Sequence, residues 1–166
     1  MERSEDGDLK RGREVDIRQD DPRAPHVADL LAHHLEELRS VMGEHAQALD
    51  ASGLSAATVT FWTVWQGHAL AGFGALKRLD DTHGEVKSMR AAPAARGTGA
   101  GRAILLHIIA EARKRGYARL SLETGTASLH APAVSLYRSV GFLNCEPFAD
   151  YQASPHNQFM SLDLLN

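Results

Sequence analysis

The stretch Ala92-Pro93-Ala94-Ala95-Arg96-Gly97-Thr98-Gly99-Ala100-Gly101 constrains this chain more than any other, because it joins a strand-like segment to the most regular helical pattern in the sequence. Glycines at positions 97, 99 and 101 suit a backbone that must turn tightly into a helix N-terminus. The first N–H groups of a helix have no intrahelical partner, and with the helix dipole they make a site for an anion. Gly99 and Gly101 let a phosphate approach the backbone closely, and Arg96 and Arg102 add positive charge. Such a turn also connects elements without any ligand, so the glycines alone leave a purely structural reading open. Spacing excludes two phosphate-binding patterns. The dinucleotide fingerprint needs Gly or Ala at its sixth place, where counting from Gly97 gives Arg102 and from Gly99 gives Ile104. The P-loop ends in Gly-Lys-Ser/Thr, a string this sequence lacks.

Elements on either side follow from hydrophobic period. Residues 101–115 form a helix with Leu105, Ile108, Ile109 and Ala112 on one face, Lys114 and Arg115 at its negative end and Gly116 as the cap. Val27, Leu30, Leu31, Leu35, Leu38 and Met42 recur at three and four, which predicts an amphipathic helix over residues 26–45 after the turn at Asp20, Asp21, Pro22 and Pro25. The β-branched and aromatic run at 58–65, the turn signal Gln66-Gly67 and the run at 69–79 predict a hairpin, with Gly72 and Gly74 marking a thin or bulged place. Further strands are expected at 15–18, 85–91, 118–123 and 157–164, and a second short helix at 132–140, with Pro132 at its start, Gly141 at its end and Phe142 packing beyond the cap. Residues 46–57 read as a loop with room for one helical turn.

Residues 1–13 are charged and nearly free of apolar side chains, which predicts a disordered tail, with residues 14–166 as one domain. The 166 residues are 43% hydrophobic, enough for one core. A net charge of −3 provides no basic field for nucleic acid. Cys145 is the single cysteine, so neither an internal disulfide nor a paired-cysteine zinc site is possible. No apolar run approaches the roughly 18 residues of a spanning helix and the first residues are acidic, so a soluble, cytoplasmic protein without a membrane partner is expected.

Arg96-Gly97-Thr98-Gly99-Ala100-Gly101 resembles the Arg/Gln-x-x-Gly-x-Gly/Ala motif of the GNAT superfamily of N-acetyltransferases. The strand before Pro93, the helix ending at Gly116 and the later Ala133-x-x-Leu136-Tyr137-x-x-x-Gly141-Phe142 fall in that family's order and approximate spacing. The likeness is specific from residue 85 to 142 and extends to the first half only in element order. It implies an α/β (α+β) GNAT fold: a mixed, mostly antiparallel central sheet flanked by helices and splayed at the cofactor site. It further implies acetyl-CoA as co-substrate, with its pyrophosphate on Arg96, Gly97, Thr98, Gly99, Ala100, Gly101 and Arg102 and its pantetheine arm along the backbone of Met89 and Ala91.

Individual roles stay paired with plainer alternatives. Tyr137 shares a helical face with Ala133 and Leu136, as a core aromatic does. The resemblance instead makes it the acid that protonates the leaving thiolate. The attacking amine must lose a proton to a carboxylate, a histidine or a water chain. Glu85 is the first candidate base and Glu123 the second, and either also reads as an ordinary strand residue. His130 stands where the family often has a cofactor-contacting Asn, three residues before Ala133, and an exposed loop histidine is the alternative. The nine histidines, the His33-His34 pair included, show no metal-binding spacing, so no metal is expected. Lys87, Arg90 and Arg78 either recognise an acidic substrate or are merely solvated. Cys145 reads as a buried structural thiol, since direct transfer needs no enzyme nucleophile.

These readings converge on an N-acetyltransferase acting in a ternary complex on a primary amine, either a small molecule or a peptide. A non-catalytic acyl-CoA-sensing module is the alternative from another class. The apolar content of residues 61–65 permits a homodimer if that strand is exposed.

Overall fold

The computed structural model describes residues 14–43, 46 and 48–165, so the expected tail at 1–13 and the last expected helical residue, His45, lie outside the described residues. Strand β1 is Asp16–Gln19, and helix α1 is Pro25–Met42, opened by a proline at its first turn and closed at Gly43. The expected helical turn in the following loop is α2, Ala51–Leu54, whose N-terminus is capped by the Asp50 carboxylate on the Gly53 amide at 2.9 Å. The hairpin is β2, Val59–Gln66, and β3, Ala69–Arg78, followed by β4, His83–Ala91. Helix α3 is Ala100–Lys114, β5 is Arg119–Gly125 and α4 is Ala131–Ser139. The two-residue β6 at Leu143–Asn144 and the longer β7 at Asn157–Asp163 complete the set; β6 carried no sequence signal because it spans only two residues.

All seven strands form one sheet in the order β1-β2-β3-β4-β5-β7-β6, antiparallel except where β4 meets β5. Period-two alternation sends side chains to opposite faces. Phe61, Phe73 and Ala75 pack with Val27 and Leu31 of α1 on one face. Trp62, Val64 and Leu76 pack with Ile104, Leu105 and Ile108 of α3 on the other. Truncating a fully buried member such as Leu105 to Ala costs about 2–5 kcal/mol on this logic. Because β2 lies between β1 and β3, Phe61, Trp62 and Val64 are buried inside the chain. The apolar content of this strand, which was read as permitting a homodimer, is therefore largely taken up inside the chain.

The feature that positions the site is the short marriage of β4 and β5. They pair in parallel only at His83↔Arg119, Gly84↔Leu120 and Glu85↔Ser121. Beyond Glu85 they separate. A bulge explains the parting: Ser88 and Met89 both stand opposite Gly74 between the pairs Phe73↔Arg90 and Ala75↔Lys87, and Ser88 takes a positive φ of 54°. The thin place expected at Gly74 is this bulge, although the extra residue belongs to β4.

Candidate active site in the sheet opening

Helix α3 begins at the glycine turn without a side-chain cap. Gly97 and Gly99 have φ of 76° and 90°, a backbone region that residues with a β-carbon adopt at a cost. The first bond closing the helix runs from the Ala103 N–H to the Gly99 carbonyl at 2.9 Å. The amides of Gly101 and Arg102 precede that bond and, among the described residues, have no acceptor. They border a cavity of about 510 Å³ also lined by Arg96, Gly97, Gly99, Ala100, Met89, Ala91, His130 and Tyr137. Thr98 alone of the expected cofactor contacts is absent from this lining. Its hydroxyl donates to the Ala95 carbonyl and accepts from Gln66 Nε2 at 2.8 Å, which ties the turn to the β2–β3 hairpin.

The cavity reaches Tyr137 on α4, which is 5% exposed and packs its ring 5.8 Å from that of Phe142. Burial pushes the Tyr137 phenol well above its ordinary pKa, so it stays protonated at any physiological pH. His130 is buried rather than on an exposed loop, and its ring lies directly over the end of β5. A β-carbon on Gly125 would come within 2.3 Å of that ring, so any other residue at this strand position would have to displace the imidazole.

Behind Tyr137 the cleft continues into an inner chamber of about 100 Å³ bounded by Val86, Ser88, Glu123, Thr124, His34 and Met42, among others. Glu123 hangs from β5 into it. Burial raises its pKa above the usual carboxylate value, an effect that Lys87 and a hydrogen bond from Asn157 partly offset and Glu85 reinforces. Its Oε2 is buried with no partner among the described residues.

Glu85 has a different setting. It is 1% exposed, lines neither cavity, accepts a hydrogen bond from the Tyr151 hydroxyl and sits 3.4 Å from Lys87 Nζ. Lys87 Nζ in turn donates to Tyr151 Oη at 2.6 Å. Lys87 is thus buried, not a solvated strand lysine. Arg90 is also engaged, with both terminal nitrogens on the Glu37 carboxylate at 2.9 Å, which fastens α1 to the free part of β4 and holds the Glu37 carboxyl below its usual range. Arg78 is exposed beside Asp81, and Cys145 is half-buried rather than fully so.

His34 was missed as a site residue. It is 5% exposed, lies edge-on to Phe73 and borders both the outer cavity and the inner chamber. Burial, then the neighbouring Arg90 charge, pushes its pKa down to about 4, so the ring is neutral. The signal was in the helix period: Val27, Leu31, His34 and Leu38 step by four, three and four, which puts a histidine in the apolar stripe.

No group of His, Cys, Asp and Glu among the described residues could hold a metal ion, and no described helix is long and apolar enough to cross a membrane. A family model described as the acetyltransferase (GNAT) family matches residues 24–142. The uncharacterized N-acetyltransferase YedL of Escherichia coli (strain K12) is 49% identical over 149 residues, covering 89% of this chain and 94% of that protein. The uncharacterized N-acetyltransferase YsnE of Bacillus subtilis (strain 168) is 46% identical over 149 residues, covering 89% and 99%. The fold also matches a solved GNAT family acetyltransferase from Elizabethkingia anophelis with acetyl-CoA bound, at a TM-score of 0.63 and 15% identity over 90% of this chain and 97% of that one. A splayed sheet, an uncapped glycine-turn helix at its opening and a family match across most of the chain lead to one assignment: the chain belongs to the GNAT family and is an acetyltransferase.

Proposed function

We propose that this acetyltransferase moves an acetyl group from acetyl-CoA to a primary amine by direct transfer with both substrates bound. The observation that carries the reading is the convergence on one cleft of the amides of Gly101 and Arg102, which have no acceptor among the described residues, the edge of β4 beyond its pairing with β5 and the buried phenol of Tyr137. These groups fit acetyl-CoA chemically. Amides at a positive helix end, flanked by Arg96 and Arg102, suit a diphosphate, and the edge of β4 from Met89 to Ala91 offers backbone groups to an amide-bearing arm. A relative in fold has that molecule bound.

When bound, the co-substrate supplies an activated acetyl thioester. Tyr137 holds a proton at its hydroxyl and delivers it to the departing sulfur as the carbon–sulfur bond breaks. The inner chamber receives the amine. Glu123 accepts the proton lost as the new carbon–nitrogen bond forms, and its raised pKa makes it a better base than an ordinary surface carboxylate. We place Glu123 ahead of Glu85 because Glu85 is closed off behind Tyr151 and Lys87.

Calorimetry with acetyl-CoA tests the donor site. Binding in the micromolar range, weakened about tenfold by the double substitution of Arg96 and Arg102 by Ala, is the expected result. No binding by the intact protein would remove the proposal.

A further inference from the structure

Buried polar side-chain atoms nearly always have partners in native proteins. Seven such atoms lack one among the described residues, and five of them belong to four residues that line the inner chamber: both ring nitrogens of His34, Ser88 Oγ, Glu123 Oε2 and His130 Nε2. This is not scatter over the molecule. All four residues border a single space, and Ser88 stands there in the β4 bulge at positive φ.

The chamber's size limits what can enter. Its 100 Å³ equals about three water molecules, so only the amine of an acceptor and the atoms next to it fit. Glu123 suits the amine. His130 Nε2 packs against Gly125, which leaves the neutral His34 imidazole with one N–H donor and one nitrogen acceptor, and the Ser88 hydroxyl, which can do either. An alkyl chain beside the amine would satisfy none of them, whereas an oxygen would satisfy at least two.

We propose that the acceptor is a short primary amine with an uncharged oxygen, hydroxyl or amide carbonyl, within three bonds of its nitrogen, and that His34 and Ser88 are the residues that recognise this oxygen. The inference rests on the reading above in which the chamber receives the amine. It makes His34 a specificity residue carried by α1. The Arg90–Glu37 pair, one turn further along the same helix, keeps it in place. The neutral state of His34 suits an uncharged oxygen better than a carboxylate, because the lysine that also lines the chamber, Lys87, has its ammonium engaged by Tyr151 and Glu85.

The test compares 2-aminoethanol with propylamine, which has a methyl in place of the hydroxyl. Thiol release from acetyl-CoA gives kcat and KM for each, and calorimetry on the CoA-loaded protein gives their affinities. A preference of about 30-fold or more in kcat/KM for 2-aminoethanol, located mainly in KM, is expected. His34→Leu should reduce that ratio to about threefold, while His34→Gln, which keeps a donor and an acceptor, should retain most of it. Melting curves and CoA affinity of both variants control for folding. Equal use of the two amines, an equal loss for both in His34→Leu, or no binding of either to the CoA-loaded protein would each overturn the inference. Failure of the protein to bind acetyl-CoA would instead overturn the reading beneath it, so the two failures are distinguishable.

Discussion

Strands β4 and β5 lie side by side at one end and apart at the other, and the two ends treat buried polar groups in opposite ways. At the paired end His83 Nε2 meets Ser121 Oγ at 2.6 Å, and at its limit Glu85 accepts from the Tyr151 hydroxyl, which accepts in turn from Lys87 two residues further on. At the parted end Ser88 Oγ and Glu123 Oε2 are as deeply enclosed and have no partner among the described residues. Residue types do not separate the two ends, since each has a glutamate, a histidine and a serine. The difference lies in satisfaction. Where strands pair, the protein completes its own hydrogen bonds and the polar groups hold the scaffold together. Where they part, the described residues leave them incomplete, as the proposed acceptor site requires.

The sharpest way to break this comparison is at Tyr137. Tyr137→Phe removes only the hydroxyl, so the ring contact with Phe142 survives and stability should change little. Turnover should fall by about 100-fold or more, with acetyl-CoA affinity held within about twofold, as steady-state kinetics and calorimetry would measure. An unchanged kcat would reduce Tyr137 to a core aromatic.

Next comes the pair of glutamates, one from each end. Glu123→Gln should lower kcat by about 100-fold, and Glu85→Gln by no more than a few-fold. Glu85→Gln should instead lower the melting temperature, because it leaves Lys87 buried beside a neutral amide. The pH profile gives a second check. Burial raises the Glu123 pKa above 4.5, so as pH falls the base form is lost sooner than an ordinary glutamate would lose it. The acid limb of kcat/KM should therefore lie above 4.5 in the parent and be absent in the residual activity of Glu123→Gln. If Glu85→Gln proves the more damaging to kcat, the roles of the two ends are reversed.

His34 gives a stability signature of the parted end. Its folded pKa of about 4 lies below the unfolded value of 6.5, so its neutral form is favoured in the fold. The associated stability is fully present above 6.5 and is lost as pH falls through that window toward 4, by about 2–3 kcal/mol at the acid end. His34→Leu should flatten denaturant-melt stability between those pH values. An unaltered acid slope would show that His34 is not buried as described.

The opening itself was largely legible in the sequence, and the depth of the site was not. Residues 92–101 and the helix after them carry local signals, glycine spacing and a 3.6-residue period, so their geometry follows from neighbours in the chain. Glu85 and Glu123 carry none that tells them apart, because both stand on short strands of similar pattern. What separates them is Tyr151, 66 residues from Glu85, in a segment without helical or strand periodicity. The Arg90–Glu37 pair spans 53 residues and was equally invisible. His34 lay between these cases, since the helix period placed it on the buried face but said nothing of a chamber beyond.

The smallest expected effect tests the paired end alone. Ser121→Ala removes the hydroxyl that meets His83 Nε2 and leaves that nitrogen enclosed, while Nδ1 keeps its 3.4 Å approach from Arg119. Losing one buried hydrogen bond of this kind costs about 1–2 kcal/mol, to be measured by urea denaturation. Burial and the Arg119 charge already disfavour protonation of His83, so the ring does not recover the loss by becoming charged. Because Ser121 borders neither cavity, kcat and KM should stay within about twofold of the parent. A kinetic loss larger than the stability loss implies would mean that the paired end sets the geometry of the opening rather than only anchoring it, and the division between scaffold and site would have to be drawn further down the strands.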